Sequence, residues 1–134
     1  MIDAAQLRIG NYILHKSGVR ILPVKCTFQH FQFFSKGLNK DAFPIALKPD
    51  ILLKCGFLEN KQYYLLPDAH EFVLTLPIIG KNNNVIVACL NSKQECYSRV
   101  TVNDLIISNH FYNVHQLQNI YYALLNEEMV IDLL

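Results

Sequence analysis

Charge is the first thing this 134-residue chain is short of. Lys, Arg, Asp and Glu make up 17% of it and nearly cancel, to a net +1, against about 25% in an ordinary soluble domain. The basic field that draws a protein onto a phosphate backbone, through many Lys and Arg contacts, is therefore missing. Long apolar runs are missing too: none approaches the roughly 20 residues that span a bilayer. Met1-Ile2-Asp3-Ala4-Ala5-Gln6 has neither the basic nor the apolar part of a signal peptide. No internal repeat or linker divides the sequence, and the Asn82-Asn83-Asn84 triplet is its only low-complexity feature. These absences predict a cytoplasmic protein with no membrane contact and little call for nucleic acid. A single α+β domain over residues 1–134 is expected.

The signatures of chemistry are equally thin. Cys26, Cys55, Cys89 and Cys96 include no tight C-x2-C pair of the kind structural zinc uses, and inside a cell they are expected to be buried, reduced thiols. Cys89 and Cys96 flank a predicted turn, which allows a cross-strand contact. Among His15, His30, His70, His110 and His115 no two have the i, i+4 spacing of a helical zinc pair. His110 and His115 would need a carboxylate such as Glu71 or Asp104 to complete a metal set. Gly80-Lys81 lacks phosphate-loop spacing. Glu127 and Glu128 diverge by about 100° on a helix and read as a solvated helix end. No catalytic residue, metal or cofactor is assigned.

What the chain has is apolar content, 51%, enough for a core and for some apolar surface left to a partner. Its clearest element is 113–128. Val114, Leu117, Tyr121 and Leu124 recur at helical spacing, and Ile120 and Ala123 widen the stripe. Asn113 and Gln116 are placed to form a capping box. His115, Gln118, Asn119 and Tyr122 fall on the opposite face, a polar, uncharged surface suited to a partner or to solvent.

Elsewhere the pattern is mostly strands. Residues 8–14 and 19–24 around Lys16-Ser17-Gly18 read as a hairpin, and the Phe-rich run from Lys25 to Phe34 as a third strand, making a curved SH3-like sheet. A short helix is expected over 48–55, with Pro49 in its first turn, Gly56 after its end, Phe57 folding back on Leu52, and Leu52 and Leu53 facing the core. A β-meander follows, with strands at 62–66, 71–79, 85–90 and 97–102 and a C-terminal helix packed across it. In the Phe-rich strand, Phe31 and Phe33 would share a face and could stack the bases of a single strand.

Four strings carry a family resemblance: Leu7-Arg8-Ile9-Gly10-Asn11-Tyr12, Pro44-Ile45-Ala46-Leu47, Leu52-Leu53-Lys54-Cys55-Gly56-Phe57, and Val114-His115-Gln116-Leu117-Gln118-Asn119-Ile120-Tyr121-Tyr122-Ala123-Leu124. In these the chain resembles a family of small uncharacterised proteins of Bacteroides-type bacteria and of their prophages and mobile elements. It departs from the family pattern at Leu125-Asn126, where Thr-Gly is common, and at Ala46, where Pro is. The resemblance implies a bacterial or phage origin and shared architecture; it implies no reaction. The expectation is a non-enzymatic interaction module acting on a protein partner or a second copy, with His115, Gln118, Asn119 and Tyr122 as contacts. The alternatives are a single-strand nucleic-acid binder using Phe31 and Phe33, or a small-molecule binder with a pocket between sheet and helix.

Overall fold

The computed structural model describes residues 2–37, 40–60, 70–76, 84–90, 95–102 and 105–133. Its architecture is α+β, with two antiparallel sheets, a short middle helix and a C-terminal helix. The small sheet has the order β2-β1-β3 and the large one β4-β5-β6-β7-β8.

β1 (Tyr12–Ser17) and β2 (Arg20–Lys25) form the expected hairpin, closed by Gly18 and Val19, with Ser17 opposite Arg20 and Tyr12 opposite Lys25. The third strand is not the Phe-rich run. Residues Phe28–Ser35 form a helix, α1, and it is β3 (Ala42–Phe43) that pairs with β1. Two local features override the β-propensity of phenylalanine, which measures fit to a pleated surface more than backbone preference. Thr27 and His30 close a capping box, in which the Thr27 N–H donates to His30 Nδ1 at 2.9 Å. Phe31 and Phe34, three residues apart, meet edge to face at 5.9 Å. Both rings pack on a small core of Ile2, Ile13, Cys26 and Ala42.

α2 (Pro49–Lys54) starts with proline and stops in the way its sequence predicts. Gly56 takes φ +92°, and the Phe57 and Gly56 N–H groups donate to the carbonyls of Leu52 and Leu53, a Schellman closure. Leu52 is buried, but Leu53 points to solvent, because successive helical residues diverge by about 100°.

The large sheet is a meander of β4 (Leu58–Asn60), β5 (His70–Thr75), β6 (Asn84–Leu90), β7 (Cys96–Val102) and β8 (Leu105–Ile106). β4 was not foreseen, and the strand expected over 62–66 lies outside the described residues. One sheet face carries Phe72, Ile86, Ala88, Cys96 and Val100 into the main core. α3 (Val114–Leu125) contributes Val114 and Leu117 to that core. The helix ends at Asn126, which adopts the left-handed φ of +54°; asparagine tolerates this region better than other non-glycine residues. The apolar tail then alternates, with Met129 and Ile131 buried and Val130 exposed. Its packing is internal, and the Tyr12 hydroxyl donates to the Ile131 carbonyl at 3.0 Å.

Candidate functional site

The polar face of α3 is turned inward. His115 and Gln118 are each 1% exposed, Asn119 is half-buried, and Tyr122 reaches the surface. The four expected contact residues are thus not presented together to a partner. Three of them, Gln118, Asn119 and Tyr122, meet the chain's own N-terminal segment. The Gln118 side chain accepts from the Tyr12 N–H at 2.8 Å and donates to the Gly10 carbonyl at 3.2 Å. Asn119 Oδ1 accepts from Asn11 Nδ2 at 2.9 Å and from Arg8 Nε at 3.2 Å, while its Nδ2 donates to the Gln6 carbonyl at 2.9 Å. Arg8 lies over the Tyr122 ring, 4.3 Å from its centroid, and forms an ion pair with Glu128. Glu128 is therefore engaged rather than simply solvated. Gly10 sits at the centre of this latch with φ +95°, a conformation that L side chains rarely adopt.

The strings that carry the family resemblance are the joints of the fold. Residues 6–12 latch onto α3. Ile45 and Leu47 pair with the segment leading into α3, the Val114 N–H donating to the Ile45 carbonyl and the Leu47 N–H to the Tyr112 carbonyl, both at 2.8 Å. The Leu52–Phe57 string is the closure of α2. Their residues hold elements together, and buried amide groups have good reason to be fully bonded.

Beside the latch lies an open cleft of about 400 Å³ lined by Gln6, Ser108, Asn109, His110, Gln116 and Asn119, with Phe111 and Ile120. No lysine, arginine, aspartate or glutamate lines it. Much of the polar capacity here is already committed. Ser108 Oγ accepts from the Val100 N–H at 2.8 Å and donates to the Asn109 carbonyl. Gln116 Oε1 accepts from the N–H groups of Tyr112 and Asn113 at 3.0 and 3.1 Å. Among the described residues, the Asn109 amide and Gln116 Nε2 make no bond, and His110 is stacked on Tyr97 at 4.7 Å. Residues 105–107, an apolar run on the edge of the large sheet, lead directly into this cleft and are all exposed.

Among the described residues, which do not include Asp104, the nucleophile and metal candidates do not assemble into a reactive centre. Burial pushes the thiol of Cys55 up to about 12 and those of Cys26 and Cys96 up to about 11. Cys89, raised chiefly by burial, lies across from Tyr97 and one step out of register with Cys96. Such thiols stay protonated, and the thiolate is the reactive form. All four are free, and no group of three metal-ligating side chains occurs among the described residues. His110 and His115 do not act together: His110 is exposed, while His115 is buried with neither ring nitrogen bonded among the described residues. Burial lowers its pKa, so the ring is held neutral.

Phe31 and Phe33 do not form a stacking platform. In a helix, residues two apart diverge by about 200°; Phe31 packs on the small core and Phe33 faces outward. The space between the large sheet and α3 holds the main core, while an open pocket of about 390 Å³ lies between the large sheet and the start of α2, lined by Leu47, Lys48, Pro49, Asp50, Leu90 and Cys96. No helix among the described residues is long and apolar enough to cross a membrane. Searches against protein-family models, curated proteins and solved structures find no match to this chain.

Proposed function

We propose that the protein is a non-enzymatic interaction module that docks a protein partner along β8 and the cleft beside it. The observation that carries this reading is the run Leu105, Ile106 and Ile107, more than half exposed at every position, made of the two-residue edge strand β8 and the residue that follows it. At two residues β8 is too short to offer much backbone pairing, so the attraction rests on its contiguous exposed apolar side chains, a surface that soluble proteins usually keep for an interaction. Here the edge continues into an uncharged cleft whose Asn109 and Gln116 amides can bond a partner's backbone. Apolar contact beside neutral hydrogen-bonding groups is the make-up of an interface centre, where charged side chains are depleted. An accessory protein of a phage or mobile element is the setting that the family resemblance implies.

The test is Ile106→Asp combined with Leu105→Asp. Both side chains are exposed, so folding should survive. Loss of partner recovery with an unchanged circular dichroism spectrum supports the reading, and unchanged recovery refutes it. The cleft volume favours one second reading, since small-molecule sites start at roughly 300 Å³. A ligand there would raise Tm by a roughly constant step for each tenfold rise in its concentration above Kd, and Gln116→Ala would abolish that shift.

A further inference from the structure

The far end of the β1–β2 hairpin is a different surface with a different chemistry, separate from β8 and its cleft. Although the chain is almost neutral, its cations are unevenly placed. Lys16, Arg20, Lys25, Lys36 and Lys40 all lie between residues 12 and 43, and Asp41 is the one carboxylate in that stretch. All five cations are exposed and none forms an ion pair among the described residues; Lys25 sits 5.4 Å from the Tyr12 ring centroid. Interleaved with them are apolar side chains in water: Val19, 99% exposed at the turn, and Ile21 and Leu22, each just over half exposed. α1, held to the hairpin by the His15–His30 ring contact at 6.2 Å, adds the exposed rings of Phe28 and Phe33.

The geometry narrows what can cover this end. Ile21 and Leu22 are consecutive in a strand, so they point to opposite faces, and Val19 caps the tip. A flat protein surface or a nucleic-acid strand covers one face of such a ribbon and leaves the other wet. Aliphatic side chains also give bases little to stack on. Addition of a partner strand to β2 is disfavoured as well. The Cys26 N–H donates to the Asn11 carbonyl, and alternation from that bonded pair leaves residues 21, 23 and 25 with their backbone groups facing the open edge. The central one is Pro23, which has no N–H to give. A medium that surrounds the tip from all sides, is apolar within and is anionic at its rim fits every one of these features.

We propose that the β1–β2 hairpin end is a peripheral attachment site for an anionic phospholipid surface. Val19, Ile21 and Leu22 enter the interface, while Lys16 and Arg20 meet the headgroup phosphates and carboxylates, with Lys25, Lys36 and Lys40 adding longer-range attraction. From Val19 to Leu22 the ribbon extends about 10 Å at strand rise, which matches the roughly 5–10 Å depth at which interfacial elements seat. No spanning helix is involved.

Co-sedimentation of the full chain with phosphatidylcholine vesicles, with and without about one-third phosphatidylserine, tests this. The partition coefficient should be at least about tenfold higher on the anionic vesicles and should fall steeply from roughly 0.1 M to 0.5 M salt. Reversal of Lys16 and Arg20 together to Glu should lower it on the order of 100-fold, since each cation near such a surface contributes about a factor of five to ten. Val19→Asp alone should lower it about tenfold with an unchanged circular dichroism spectrum. Equal recovery on both vesicle types, recovery on neither, or full anionic-vesicle binding by Val19→Asp would overturn the proposal. So would retention of an oligothymidylate under conditions where vesicles recover nothing, an outcome that assigns the cations to nucleic acid.

Discussion

Gln118 is the residue through which the C-terminal helix holds the start of β1, and removing it is the sharpest test of the latch. Its side chain satisfies the buried Tyr12 N–H and the Gly10 carbonyl. Gln118→Ala leaves both without a partner and opens a small void at a position 1% exposed. An unsatisfied buried backbone group costs about 1–3 kcal/mol. The Gly10 carbonyl is partly accessible and can recover a water, so the expected loss is about 2–4 kcal/mol. Against a total stability of roughly 5–15 kcal/mol that is a large share. Urea unfolding read by circular dichroism gives the value, provided the m-value is unchanged. Gln116→Ala, a nearby loss of the same side chain at a half-buried cap, should cost only about 0.5–2 kcal/mol. If Gln118→Ala costs under about 1 kcal/mol, or no more than Gln116→Ala, the latch does not hold the N-terminal segment as described.

Other consequences follow from the same packing. His115 has a folded-state pKa below its unfolded value of 6.5, because burial disfavours the charged ring. Its contribution is complete above that pH; as pH falls below it, the unfolded chain takes up a proton that the folded state refuses. Stability then falls by up to about 1.4 kcal/mol per pH unit, and His115→Leu should flatten the slope measured by unfolding from pH 7 to pH 5. Arg8→Ala should cost about 1–3 kcal/mol, from the lost Asn119 bond and Tyr122 contact and a smaller share from the partly exposed ion pair with Glu128, and high salt should shrink only that last share in parallel unfolding curves. In the native protein, labelling of Cys26, Cys55 and Cys96 at neutral pH should be slow, with all four thiols reacting once urea unfolds the chain; fast native labelling of Cys55 would contradict its burial.

How far the sequence discloses this molecule depends on whether the deciding interaction is local. The hairpin, α2 and α3 are legible because their signals lie within a few residues: Gly18 at the turn, Pro49 and Gly56 at the two ends of α2, Asn113 and Gln116 at the start of α3. The helix α1 is misread because its phenylalanines point to a strand, although Thr27 with His30 and the three-residue spacing of Phe31 and Phe34 do mark a capped helix. The polar face of α3 is misread for another reason. Gln118 and Asn119 look solvated until their partners arrive from residues 6–12, more than a hundred positions away. The signal that could have revealed this was the presence of amide-rich strings at both ends of the chain, which are the two halves of one contact. The cleft and the exposed run at 105–107 also stay hidden, because residues 104–107 carry no local signal that decides whether they continue the strand over 97–102 or end it.

The most direct test of the docking role compares wild-type protein with the Leu105→Asp, Ile106→Asp double variant in affinity capture from host lysate, with light scattering on both. The account predicts that wild type recovers a defined protein partner, or a second copy of itself, and that the variant loses it while remaining folded. Recovery of the same partner by both proteins, or a wild-type monomer that recovers nothing, would contradict it.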